Sequence, residues 1–221
     1  MRKPLVLVQV AAMAVAVWVA IAPEAGSANP VPTTPTICNG LLSGPALGSV
    51  VVPSNAYCDL VNATVTGSVT VGSNASLKTC DSMIGGSLNA TQAYVNVDNG
   101  TTIGGSVSLN RPGASLQITG TVTCGEQGGL AEYSSILCPS RIGGGVSVHN
   151  GASGGLEVSI GECGPINPIG GTVSIQNNQL PVTIENSNIL GSLICLNNMP
   201  PAVQLLNTVH GTIIGHCGQP L

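Results

Sequence analysis

Few groups in this sequence could do chemistry. They are eight cysteines, three histidines, nine acidic residues and many small hydroxyls. The cysteines stand at 38, 58, 80, 124, 138, 163, 195 and 217. An even count with no Cys-x-x-Cys pair reads as disulfides, not as a zinc ribbon or a redox motif. Cys38 and Cys58 lie close to one another at the start of the exported part, and Cys195 and Cys217 do the same at its finish, so each pair is expected to close one end of the fold. Between them, Cys124–Cys138 would close a loop, and Cys138–Cys163, joining adjacent corners, is a near competitor. Cys80 has no clean partner in either scheme.

The acidic residues give a weaker signal. Asp59, Asp81 and Asp98 recur in three successive segments, and grouped carboxylates would suit calcium or acid/base work on a polysaccharide. Their spacing is uneven, and no second basic residue joins Lys78 to engage an acidic sugar. Turn aspartates bonding their own backbone are the better account. His149-Asn150-Gly151 reads as a turn, His210 sits between Val209 and Gly211, and His216 precedes Cys217. No Gly-x-Ser-x-Gly elbow occurs in a strand–helix context. Glu126, Glu132 and Glu162 read as solvated loop charges. No catalytic residue, metal ligand set or cofactor is assigned on these grounds.

The hydroxyls are the most regular polar feature. Ser68, Ser87, Ser106 and Thr172 each follow a recurrent glycine, and Thr70, Asn89, Ser108 and Ser174 stand two residues further on. If the segments stack, these form two parallel rows on one flat face. Such ladders can order water, as in ice binding, or offer hydrogen bonds to glycans. They are also what an exposed flat sheet takes for ordinary reasons.

What stacks them is a repeat. Ile103-Gly104-Gly105-Ser106-Val107-Ser108-Leu109 returns in variants with glycines at 48, 67, 86, 105, 120, 144, 171, 191 and 211. The spacing is constant from Gly48 to Gly105 and constant again from Gly171 to Gly211. The doubled interval from Gly105 to Gly144 reads as two coils, with Gly120 a displaced copy. Apolar residues fall two and four after the glycine (Val69/Val71, Val107/Leu109, Val173/Ile175), two before it (Ile84, Ile103, Ile189), and again about ten residues on (Val95/Val97, Leu156/Val158, Val182/Ile184, Val203/Leu205). Three short strands per repeat close only by stacking repeat on repeat. The expected fold is all-β, a right-handed parallel β-helix (a solenoid) of about 8–9 coils, each of roughly 19–20 residues. The recurrent glycine is expected at a corner needing positive φ or close backbone approach. Residues 124–140 and 161–168 break the period and read as loops.

The chain opens with Arg2 and Lys3, an apolar run from Leu5 to Ala22, and Gly26-Ser27-Ala28. That is the layout of a secretory signal peptide over 1–28, with cleavage favoured over retention as an anchor. Residues 29–37 form a Pro-rich lead-in, and the helix occupies 38–221. Past residue 28 the chain keeps three basic and eight acidic residues, a net charge of −5. Three scattered cations cannot displace counterions from nucleic acid or hold an anionic lipid surface, so neither is an expected partner. Asn62, Asn74, Asn89 and Asn99 fit the N-glycosylation sequon, which has meaning only in a eukaryotic product.

The leader, the opening Cys…Leu-Ser-Gly…Val-Val-Val-Pro…Cys, the Ile-Gly-Gly-Ser-Val-Ser-Leu repeats and the closing Cys195…Asn-Thr-Val-His-Gly…Cys217 resemble exported bacterial repeat proteins common in actinobacteria. That resemblance implies an exported β-helix with no assigned chemistry. The extra cysteines and their loops depart from the pattern. The coil also looks like the bactofilin core, a likeness of fold only, since bactofilins are cytoplasmic and polymerise. The sequence therefore predicts a secreted or cell-surface structural or interaction protein, non-enzymatic, whose partners would be envelope glycan or a second copy. A carbohydrate-active, glycan-binding or ice-binding protein on the same scaffold is the alternative.

Overall fold

Short strands that alternate Val, Ile or Leu with small polar groups bury every second side chain. In the computed structural model they stack as a parallel β-solenoid. The structure describes residues 34–97, 100–112, 135–137, 141–152, 158–161 and 167–218, and among these there is no helix. All of them belong to one unit of the chain, Val31–Leu221.

One face is a nine-stranded sheet running from Thr36–Ile37 through Val50–Val52, Val69–Val71, Leu88–Thr91, Val107–Asn110, Val146–His149, Val173–Gln176 and Leu193–Leu196 to Ile213–Gly215. The other two faces share a sheet because the long strand Tyr57–Val65 runs through both. The second face continues with Met83–Ile84, Thr102–Ile103, Arg141–Ile142, Asn167–Ile169, Ser187–Ile189 and Thr208–Val209. The third continues with Ser76–Cys80, Tyr94–Val97, Ser135–Leu137, Val158–Ile160, Val182–Glu185, Ala202–Leu205 and Cys217–Gly218. At the amino end Gly40–Leu47 pairs with Tyr57–Val65.

Register lines the repeats up into columns. Val50, Val69, Leu88, Val107, Val146, Val173 and Leu193 pair in sequence, and all are buried. Val65, Ile84, Ile103, Ile142, Ile169 and Ile189 make the second-face column. Each such side chain contributes about 1.5–3 kcal/mol by leaving water, and this dry interior holds the turns together.

The stack has about seven turns, not eight or nine. Val107 pairs directly with Val146, so the whole interval from Gly105 to Gly144 makes one turn carrying an insertion, and Gly120 adds no rung. The expected loops also hold strands. Ser135–Leu137 pairs with Tyr94–Val97 and Val158–Ile160, and Asn167–Ile169 pairs with Ser187–Ile189. Glycine and proline around these short runs mask their alternation. On the third face the inward pair is Val158/Ile160, with Leu156 outside the described residues. In the last turn Ala202 and Gln204 take the inward register, not Val203 and Leu205: Thr183 faces Val203 and Ile184 faces Gln204. The rungs begin slightly before Cys38, since Thr36–Ile37 already pairs with Val50–Val51. Residues 1–28 lie outside the described residues.

Asparagine makes most of the described corners after the first face, with Gln92 and Arg111 taking the same left-handed conformation in two turns. Asn55, Asn74, Asn150, Asn177 and Asn197 occupy the left-handed region where the chain leaves the first face, a conformation asparagine tolerates better than most residues. Beside that corner, the buried Asn178 amide donates to the Val148 carbonyl (3.0 Å) and to Asn198 Oδ1 (3.0 Å), and its oxygen accepts from the Gly151 N–H (2.9 Å). Asn178→Ala should therefore cost about 2 kcal/mol in chemical denaturation, because it strands a buried donor and a buried acceptor at once. A loss under ~0.5 kcal/mol would show that these bonds do not hold the corner.

Candidate functional site

The two hydroxyl rows lie on the first face, as their spacing requires, and they differ. The row directly after the glycine is turned into the ladder. Ser68 Oγ accepts from the Ser87 N–H (3.0 Å), Ser87 Oγ from Ser106 (3.1 Å), Ser106 Oγ from Gly145 (3.2 Å) and Thr172 Oγ1 from Ser192 (3.3 Å). Each hydroxyl thus bonds the backbone of the next turn. The glycine before it makes room: a Cβ on Gly105 would lie 2.4 Å from Ser87 Oγ. Gly-Ser works as one unit, and close approach, not positive φ, is the reason for the glycine.

The second row, Thr70, Asn89, Ser108, Ser147 and Ser174, is in register and points outward. Beside it runs a third row that periodicity alone did not single out: Thr91, Asn110, His149 and Gln176. Ser147 Oγ meets His149 Nε2, and Gln176 donates to Ser174 Oγ (2.7 Å). Burial holds the His149 imidazole below its usual pKa, which favours the neutral ring. A serine beside a neutral histidine is the start of a nucleophile pair, but acyl transfer also needs donors for an oxyanion. The N–H groups of the corner just before this strand are already used: Gly143 N–H bonds the Ile103 carbonyl (2.7 Å), Gly144 the Gly105 carbonyl (2.9 Å) and Gly145 the Ser106 hydroxyl. The arrangement supports hydrogen-bonding recognition better than catalysis.

The neighbouring corner adds amides. Asn197 donates to Asn177 Oδ1 (3.2 Å), and Asn177, Gln179, Asn197 and Met199 line a shallow groove.

Asp59 and Asp81 do not share a column. Asp59 lies within a strand, aligned with Lys78 and Asn96, while Asp81 sits at a left-handed corner and Asp98 lies outside the described residues. Asp81 is thus the turn residue expected, and Asp59 is not: it is buried, accepts from the Tyr57 hydroxyl, and has no hydrogen-bond partner for Oδ1 among the described residues. Burial first, then that hydrogen bond and the carboxylate charge, hold Tyr57 well above the ordinary phenol range. His210 Nε2 contacts Asn188 Oδ1 (2.9 Å), and His216 is exposed. Glu126, Glu132 and Glu162 lie outside the described residues. Among the described residues no group of three or more His, Cys, Asp or Glu is placed to hold a metal.

Disulfides join Cys38 to Cys58 and Cys195 to Cys217, with Cα separations of 5.6 and 5.2 Å. They clamp the first and last turns. Cys80, which found no partner by spacing, is also disulfide-bonded. The pairings considered for Cys124, Cys138 and Cys163 lie outside the described residues.

No family model, curated protein or solved structure matches this chain.

Proposed function

We propose that this is an exported, non-enzymatic structural or interaction protein whose solenoid serves as a rigid scaffold in the cell envelope or outside the cell. The observation that carries the reading is the placement of a disulfide at each end of the stack. End turns have a neighbour on one side only, so they open first, and a covalent clamp there is useful where thiols stay oxidised. The aliphatic columns and the Gly-Ser ladder both serve cohesion between turns. Expression with the native leader should deliver a chain starting at Asn29, with no reactive thiol, to the medium or envelope. A chain kept inside the cell with free thiols would overturn the reading.

A second reading rests on one observation: the outward Thr70, Asn89 and Ser108 row and its amide-bearing neighbour form a flat, uncharged polar strip. Glycan or ice binding would use that strip. A glycan array probed with the mature protein tests it, and signal abolished by Asn89→Tyr would place the ligand there.

A further inference from the structure

The carboxyl-terminal end of the solenoid is built unlike the rest. Among the described residues, Thr208–Val209 and Ile213–Gly215 are each paired on one side only. Ile213 stands in the column of Val173 and Leu193, both fully buried, yet it is 53% exposed. In the same strand the outward row changes character: Ser147 and Ser174 give way to Ile194 and to Ile214, which is 45% exposed. Alternation is lost, and both sides of the last rung are apolar.

The corner of that turn carries a sharper signal. Asn62, Asp81 and Asn186 take left-handed conformations where the chain passes from the third face to the second, and in the last turn the corner residue is Leu206, at φ 52° and 83% exposed. A leucine there costs about 1–2 kcal/mol in backbone strain and gains nothing from water. A covering surface would offset that cost.

We propose that this end is a homodimer interface, in which a second copy stacks tail to tail. A last rung of the same cross-section supplies the turn that Ile213 and Val209 lack. No lysine, arginine, aspartate or glutamate follows Glu185, so two such ends meet without like-charge repulsion between these side chains. Sheet edges that remain single are usually guarded by charge, proline or a bulge. The amino-terminal edge is guarded in this way: Gly40–Leu47 shifts register at Ser43/Gly44 and again at Gly44/Leu47, with Gly40 and Gly44 at positive φ. Its exposed Ile37 and Leu41 align with Val51 and Asp59, positions that point away from the interior columns. The partner's carboxyl end, not its amino end, therefore offers the matching flat ladder, and a two-fold axis closes the assembly at two chains. The inference stands on this end alone and is independent of where the protein is exported.

Sedimentation equilibrium of the mature protein tests it. The expected mass is that of two chains. Leu206→Asn should weaken association more than about tenfold while leaving the unfolding midpoint of the monomer unchanged or higher, because asparagine accepts the left-handed corner. Ile213→Lys should give a monomer, and Met83→Lys, on an exposed second-face position near the amino end, should leave the dimer intact. A monomer at ~100 µM, where even a weak micromolar contact would be saturated, would overturn the proposal. So would a dimer indifferent to both Leu206→Asn and Ile213→Lys, or polymers that lengthen with concentration, which require head-to-tail contact.

Discussion

Val107→Asp should leave no folded protein, whereas Ser108→Asp, one residue later, should unfold like the parent. Val107 is fully buried between Leu88 and Val146 and belongs to the aliphatic interior. A carboxylate there has no donor and no water, and even the neutral acid loses its hydrogen bonds. The cost is about 5 kcal/mol or more, comparable to the whole stability of many domains. Ser108 occupies the outward row between Asn89 and Ser147, where a charge remains solvated and the change should stay within ~0.5 kcal/mol. Any residual fold of Val107→Asp should be strongest at acid pH. Burial raises the folded-state pKa of the new carboxyl, so its contribution is intact below the unfolded value and is lost as pH rises through the folded one. Thermal unfolding followed by circular dichroism separates the two variants. A Val107→Asp protein melting near the parent would mean that the strands face the other way.

That contrast is legible from sequence because alternation in a strand is local: Val107 and Leu109 must share a side, whatever else the chain does. The inward columns, the parallel stacking and the terminal disulfides followed from the same local rule plus the period. What escaped depends on contacts between turns. Ser135–Leu137 is too short to alternate visibly, and only its pairing with both Tyr94–Val97 and Val158–Ile160 makes it a rung. Val203 and Leu205 look inward by composition, yet pairing with Val182–Glu185 sets them opposite the outward Thr183 and Glu185, a register that composition cannot reveal. Asp59 reads as a turn residue until its alignment with Lys78 puts it inside a strand.

The candidate site was half legible for the same reason. Spacing placed Ser68, Ser87 and Ser106 in a row, but could not tell that their oxygens accept from the next turn's backbone, since that depends on rung separation and on the missing glycine Cβ. Thr91, Asn110, His149 and Gln176 had no shared residue type to mark them as a row, and only register brings them together.

Gly105→Ala is the second large effect, and it tests whether the Gly-Ser pair is a joint device. One methyl group at Gly105 would lie 2.4 Å from Ser87 Oγ and 2.8 Å from both the carbonyl carbon and oxygen of Gly86. The serine could rotate away, but the backbone of Gly86 could not: its carbonyl accepts the Gly105 N–H at 2.8 Å, so relief means parting the two turns. The expected loss is about 3 kcal/mol or more, at the upper end of what overpacking costs. Ser87→Ala alone should cost about 1 kcal/mol, the bond to the Ser106 N–H. The combination decides the mechanism. If hydroxyl crowding were the whole clash, Ser87→Ala would rescue Gly105→Ala. Because two of the three contacts are backbone, the double variant should remain within ~1 kcal/mol of the single glycine replacement in urea denaturation. Full rescue would show that the glycine serves the serine and not the spacing of the turns.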